Sequence, residues 1–299
     1  MDDLITKAVR FFKGLLTYQF NFHYFILFLS ISITVILIEL VVVGYQASSL
    51  KKIFSPNKSI LTDIISWFIE SFGFFRILSI ILSFGICVYL VGILENSLPF
   101  KISLSINNVY LQFFIIYIVS DLKSYFRHFI FHKFKPLWPI HAFHHSSTNL
   151  TVLTRHRGHF LESEIGRFFD LIPFVLLGAP IESFFIVTII SELHQHLIHS
   201  EIRSDWGWFG KFIFVSPAAH RIHHSINSKH YNKNFGVTFI FWDHLFGTYH
   251  SQELVEEVGV KDFSFNKKGY LHDVLLVYKL FFIELIIFLK SIFQKNTEL

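Results

Sequence analysis

Two copies of one histidine triplet constrain this chain more than any other feature. His141, His144 and His145 have the spacing HxxHH, and His220, His223 and His224 repeat it. On an α-helix the offsets 0, 3 and 4 fall at about 0°, 300° and 40°, so each triplet projects from one helical face that can grip a metal. A further pair, His128 and His132, has the i, i+4 spacing that sets two imidazoles one above the other, as helical metal sites do. Histidine makes up 18 of 299 residues. At that frequency a given HxxHH arises by chance roughly 0.06 times in such a chain, and two arise far more rarely.

The rest of the composition places those histidines at a membrane. Hydrophobic residues make up 52% of the chain, with 39 Phe, and charged residues only 16%, a balance too apolar for an ordinary soluble domain. Cys87 is the one cysteine, inside an apolar run, which excludes an internal disulfide and a cysteine metal site and leaves metal binding to histidine. The net charge of +4 comes from Lys and Arg scattered around apolar segments. That pattern suits a phospholipid surface and not nucleic acid. Residues 1–20 are amphipathic, with Lys7, Arg10 and Lys13 among Phe and Leu and no small-residue cleavage site after them, and predict an interfacial helix.

Taken in order, the chain predicts an all-α integral membrane protein with about four to five transmembrane helices. A histidine-rich helical cap holds a dinuclear metal site on the cytoplasmic side. Residues 25–45 form a first span if Glu39 lies near one end, 61–72 a short amphipathic helix, and 77–94 and 102–120 two uncharged spans. The helical pattern of the last continues through Asp121, Tyr125, His128 and His132. The metal side is then the side of Lys51, Lys52, Lys58, Arg76, Lys123, Arg127, Lys133 and Lys135, which the positive-inside rule assigns to the cytoplasm, although Lys7, Arg10 and Lys13 fall opposite. Gly178-Ala179-Pro180 separates two short apolar runs and predicts a hairpin, 166–177 and 181–199, whose returning arm delivers His194, Gln195, His196 and His199 to the metal side. Residues 201–250 read as a cap of short helices and loops. The stretch 274–293, interrupted by Lys279, Glu284 and Lys290, fits an interfacial helix as well as a span. The predicted organisation is thus 1–100 for the interfacial helix and first spans, 101–250 for the catalytic core, and 251–299 for the tail.

The eight paired and tripled histidines with His199 make nine imidazoles, more than one tetrahedral zinc uses and about right for two metals with four or five nitrogen ligands each. Imidazole suits zinc, copper and iron alike. In a membrane protein without a cysteine cluster, a Rossmann glycine fingerprint or a nucleophile elbow, two such ions suggest iron and dioxygen acting on a lipid. Zinc-dependent hydrolysis of a lipid and non-enzymatic metal binding or transport are the competing readings. Against transport, the histidines cluster beyond the spans and not within them.

The order His128-x-x-x-His132, His141-x-x-His144-His145, Gln195-x-x-x-His199 and His220-x-x-His223-His224 resembles the sterol desaturase and fatty acid hydroxylase superfamily of integral-membrane oxygenases. Flanking residues agree over roughly 107–249: Asp121, Tyr125 and His128 lead into the first box, Arg157, His159 and Glu162 follow the second, and Asn234-Phe235-Gly236 with Trp242-Asp243 and Phe246-Gly247-Thr248 closes the core. His199-Ser200-Glu201 and Ser216-Pro217 are similar, locally, to alkylglycerol monooxygenase. The resemblance implies that the box histidines ligate two irons, that O2 is co-substrate, and that electrons come from an external donor such as cytochrome b5 or another reductase. The fatty acid hydroxylases place a histidine where this chain has Gln195, so the tenth ligand is either Gln195, directly or through water, or His196, one turn from His199.

Other residues carry double readings. His159 with Arg157 and Glu162 is better placed to orient a ligand than to be one. Asp121 and Asp243 could accept from ligand N–H groups or cap a turn. Tyr125 could support the site or be an interfacial aromatic. His23, His230, His244, His250 and His272 lack box spacing and predict solvated or capping histidines. Asn57-x-Ser59 and Asn149-x-Thr151 match the glycosylation pattern on the predicted cytoplasmic side, where chance explains them better.

Overall fold

The computed structural model describes residues 22–74, 78, 106, 108–177, 181–251, 253–261 and 263–296. Among these residues the protein is helical: α1 (Phe22–Val42), α2 (Ser49–Ile53), α3 (Lys58–Ser71), α4 (Val109–Lys133), α5 (Trp138–His145), α6 (Phe160–Leu177), α7 (Ile181–Ile198), α8 (Gly207–Phe212), α9 (Pro217–His223), α10 (Phe241–Leu245) and α11 (Tyr270–Asn296). Short 3-10 turns lie at Tyr45–Ala47, Val152–His156 and Ser228–His230. No strand occurs among the described residues, only two isolated antiparallel bridges, Phe214 with Phe239 and Ser225 with Val258.

Local chemistry sets the helix ends. Asn57 caps α3 by accepting from the Ile60 N–H at 2.9 Å, and Asn108 caps α4 by accepting from Tyr110 and Leu111. The sequon asparagine Asn57 is thus a cap, and it also bonds Asn149. Past Lys133 the chain turns extended at Phe134, two residues before Pro136, whose ring disfavours further helix. Pro139 and Pro217 stand in the first turns of α5 and α9, where their missing N–H leaves no helical bond unmade.

One helix among the described residues, over 25–42, is long and apolar enough to cross a membrane, with mean hydropathy 2.8. Glu39 lies in its last turn, as a span there requires, and is fully buried, accepting from the Ser49 N–H and hydroxyl at 2.8 Å each. The interfacial helix over 1–20, the span over 77–94, Cys87 and the turn at 178–180 lie outside the described residues. The helix through 102–120 is described from 109 and runs unbroken to Lys133, carrying His128 and His132 in its last turns. Residues 166–177 and 181–198, predicted as the arms of a hairpin, lie in helices α6 and α7, and residues 201–250 form the short helices α8 to α10 with connecting loops.

Helix α11 lies against α5. Its Val277 joins Phe131, Leu137, Ile140 and Phe143 in a buried cluster, while Leu275, Phe282, Ile286 and Phe293 on its other flank are exposed. On the opposite side Val35 of α1, Trp67 of α3 and Val152 and Leu153 of the 3-10 turn form a second core. Each such side chain contributes about 1.5–3 kcal/mol on burial. The two cores are tied through Arg157, which is fully buried. It donates to the Phe143 carbonyl at the end of α5, to the Ser59 carbonyl and hydroxyl, to Asp63 at 2.8 Å and to Asn266. Asp63 is itself fully buried and also accepts from Thr154 and Ser147. Removing one partner strands the other charge, so Arg157→Leu is expected to destabilise the protein by about 3–5 kcal/mol. Thermal unfolding in detergent checks this; an unchanged Tm would contradict it.

Candidate metal centre

The nine imidazoles meet in two adjoining clusters, one of five and one of four. In the first, one nitrogen from each of His128, His132, His141, His145 and His223 lies within 4.8 Å of the others. In the second, His144, His199, His220 and His224 do the same. The HxxHH triplets do not each serve one metal, as a single gripping face would have them do. Each divides: α5 sends His141 and His145 to the five-membered cluster and His144 to the other, whereas α9 and its C-cap send His220 and His224 to the four-membered cluster and His223 across. Successive helical residues diverge by about 100°, so His144 and His145 flank the line between the clusters and aim at different centres.

Hydrogen bonds at Nδ1 fix which nitrogen faces inward. Nδ1 of His128, His199 and His223 donates to the carbonyls of Phe235, Gln195 and Lys233 at 2.8, 2.7 and 2.8 Å. Nδ1 of His141 donates to Glu162 at 2.8 Å. A carbonyl or carboxylate can only accept, so these four rings carry their proton on Nδ1 and present the Nε2 lone pair to the centre. In the first cluster Nε2 of His132, His141, His145 and His223 is buried with no protein hydrogen-bond partner. In the second, Nε2 of His199 stands 2.9 Å from that of His220 and 3.2 Å from that of His144, and Nε2 of His224 is 3.1 Å from that of His220. Buried lone pairs aimed at one another are costly without a cation between them, and the donor set fits two metal ions.

Burial and neighbouring imidazoles hold His144, His145, His220 and His224 well below the ordinary histidine range. Burial brings His199 and His223 down to about 3, against the effect of their Nδ1 bonds. All six are therefore neutral at pH 7, the form that ligates. Burial pushes the Glu162 carboxyl up, but His141, Arg127 and Arg155 together outweigh it and the group stays below its ordinary value, an acceptor at neutral pH.

The supporting residues act at differing removes. Glu162 touches a cluster histidine directly. Asp121 and Asp243 do not: Asp121 accepts from the Thr238 and Phe239 N–H groups and the Trp242 indole, and Asp243 from the Phe235 and Gly236 N–H groups at 2.7 and 2.8 Å. Together they pin the loop whose Phe235 carbonyl orients His128. Gly236 is required there, since a Cβ would stand 2.9 Å from Asp243 Oδ2 and 2.7 Å from the Phe239 carbonyl. Tyr125 is buried, and its hydroxyl donates to Thr248, which donates to Asp243. Burial raises the Asp243 carboxyl to about 6 against those hydrogen bonds.

Arg157 fastens α5 through the Phe143 carbonyl and touches no imidazole of the centre by hydrogen bond. His159, placed by sequence among the orienting residues, turns away: its Nε2 meets the Val274 carbonyl at 3.3 Å and its ring packs on Tyr278. Neither candidate for a tenth ligand joins the clusters. The Gln195 amide donates to the Val237 carbonyl, and His196 pairs with His156. His194 packs against Trp206 and Phe214. His230, predicted solvated or capping, is 2% exposed and bonds Glu253 beside His250. A cavity of about 170 Å³ lined by Trp138, Tyr231, Asn232 and Lys261 reaches His132, His145 and His223.

The fatty acid hydroxylase family model matches residues 113–248, the stretch that carries all nine of these histidines. This stretch is similar to the fatty acid hydroxylase family. Over 134 residues it is 32% identical to an ornithine lipid hydroxylase, OlsE, of Rhizobium tropici, a match covering 45% of this chain and 40% of that protein. Alkylglycerol monooxygenases of Caenorhabditis elegans and Danio rerio match 133 and 130 residues at 29% and 33% identity, covering 44% and 43% of this chain and 26% and 28% of theirs. The matched stretch thus spans less than half the length of each of these relatives. No solved structure matches the chain. The superfamily resemblance read from the histidine boxes, with its local likeness to alkylglycerol monooxygenase, is borne out.

Within this core, Glu162 is the one carboxylate bonded to a cluster imidazole among the described residues. Glu162→Gln keeps the shape and removes the charge that polarises His141. It is expected to weaken one of two bound metals by about 10–100-fold and leave the other unchanged. Titration against a competing chelator measures this, and equal affinities in the variant and the parent would count against the assignment.

Proposed function

We propose that the protein is a membrane di-iron oxygenase that hydroxylates, desaturates or oxidatively cleaves a lipid. The observation that carries this reading is the division of nine imidazoles into groups of five and four, side by side in a stretch similar to the fatty acid hydroxylase family. His128, His132, His141, His145 and His223 would hold one iron, and His144, His199, His220 and His224 the other. Iron held there would supply the redox chemistry by which O2 is reduced and one of its atoms inserted into an unactivated C–H bond. In the hydroxylase case the balance is one C–H bond, O2, two electrons and two protons giving an alcohol and water, so an external donor such as cytochrome b5 or a related reductase is required.

The chain's own residues set the conditions. Backbone carbonyls and Glu162 keep four of the imidazoles, His128, His141, His199 and His223, in one tautomer. The rings of Phe131, Trp138 and Phe235 pack against the five-membered cluster. In this reading further spans join α1 in the bilayer, and the histidine face lies on the cytoplasmic side, where the lysines and arginines around 51–58 and 123–135 concentrate. The likeness to an ornithine lipid hydroxylase and to alkylglycerol monooxygenases supports a polar membrane lipid as substrate. Zinc hydrolysis is the weaker reading, because four and five imidazoles leave few open positions for a hydrolytic water.

Protein purified from iron-supplemented cells is expected to hold near two irons per chain and, with an electron donor, to place 18O from 18O2 in a hydroxylated lipid. His144→Ala and His223→Ala, one from each cluster, should each abolish the product and lower the iron content. Full turnover in either variant, or no iron after anaerobic reconstitution, would overturn the proposal.

A further inference from the structure

A third group of metal-ligating side chains lies beside the centre and belongs to neither cluster. It joins three elements: Glu70 near the end of α3, His156 at the end of the 3-10 turn, and Glu192 and His196 one turn apart on α7. His156 and His196 are both fully buried. Their Nε2 atoms face each other at 2.9 Å. One donor atom each from His156, Glu192 and His196 lies within 4.8 Å of the other two.

The tautomers decide what that contact means. Nδ1 of His156 lies 2.9 Å from Glu70 Oε2, and Nδ1 of His196 lies 2.7 Å from the Glu192 carbonyl. Both partners can only accept, so both rings carry their proton on Nδ1. Two Nε2 lone pairs then point at each other, a repulsive arrangement unless a cation stands between them. In the four-membered cluster the Nε2 atoms of His199 and His220 also approach to 2.9 Å. A shared proton would satisfy the two nitrogens alone. It would leave the third donor unexplained: Glu192 Oε1 takes Arg155 at 2.5 Å, while Glu192 Oε2 is buried with no hydrogen-bond partner.

The geometry points to a third metal site, His156–His196–Glu192, for a borderline divalent cation such as Zn2+, distinct from the dinuclear centre. Two imidazoles, one carboxylate and a water make a four-coordinate set of the kind zinc prefers, and for such nitrogen and oxygen donors zinc outcompetes ferrous iron. Glu70, bonded to His156 Nδ1, is the orienting carboxylate that zinc-bound histidines commonly have. Glu70 and Glu192 outweigh Arg155, so the surroundings favour a cation, and the Glu70 side chain, 29% exposed, gives it a way in. An ion here would tie α3, the 3-10 turn and α7 together one turn before His199. It would thereby hold that histidine's helix in register without changing oxidation state.

The test uses the full chain in detergent, loaded anaerobically with iron, stripped of loosely held metal and titrated with Zn2+. One zinc per chain is expected beyond the iron. His196→Phe and Glu192→Gln are expected to lose at least about 100-fold in zinc affinity while keeping the parent's iron content. If the dinuclear reading failed and no iron bound, the parent would still take up one more zinc than His196→Phe, so the two readings fail separately. As a readout independent of any variant, Co2+ in the parent should give the intense visible bands of a four-coordinate site. Zinc uptake equal in the parent and both variants, or a parent that binds no zinc beyond its iron and shows no such bands, overturns the site.

Discussion

The hydrogen bond from an imidazole Nδ1 to a fixed acceptor is the interaction on which the centre depends. Unconstrained, a histidine places its proton on either nitrogen and rotates about χ2. Here His128, His199 and His223 are locked by main-chain carbonyls and His141 by Glu162. The acceptors are themselves held in place by the fold. The cost of holding lone pairs together in a buried space is met by folding and returned on metal binding, which couples metal affinity to the stability of the cap.

The remainder of the core can be understood as support for those acceptors. Phe235 orients His128 only because Asp243 grips the Phe235 and Gly236 N–H groups and Asp121 grips the next stretch at Thr238 and Phe239. Tyr125 and Thr248 in turn hold Asp243. On the other side Arg157 closes the end of α5 and ties it to α3 through Asp63, so the helix bearing His141, His144 and His145 cannot slide. Three buried carboxylates, one buried guanidinium and a glycine thus do at a distance what the imidazoles need done close by.

Much of this was legible in the sequence because spacing is a local property. HxxHH and i, i+4 pairs place imidazoles on helix faces whatever the tertiary fold, and eight of the nine cluster residues follow from them, with His199 added by the hairpin and the superfamily resemblance. What spacing does not contain is where a neighbouring helix stands, and that decides the division of each triplet between two clusters. The same limit explains His196: its helical offset from His199 is right for a shared metal, but His156 draws it to the other side. His156 itself lies in no box, and its only sequence signal was a histidine between two arginines. Asp121 and Asp243 were recognisable as supporting residues, yet their partners are backbone N–H groups across the fold and not ligand rings. Arg157 and His159 sit two residues apart and face different elements because the chain there leaves a 3-10 turn and enters α6 with no regular periodicity.

The central claim is that these nine histidines hold redox-active metal. X-ray absorption at the iron edge of the iron-loaded protein tests it most directly. The account predicts a nearest shell dominated by four to five light donors per iron, with the outer-shell scattering of imidazole rings that diminishes in His223→Ala. A shell dominated by water and carboxylate oxygen without imidazole scattering, or one unchanged by that substitution, would contradict it.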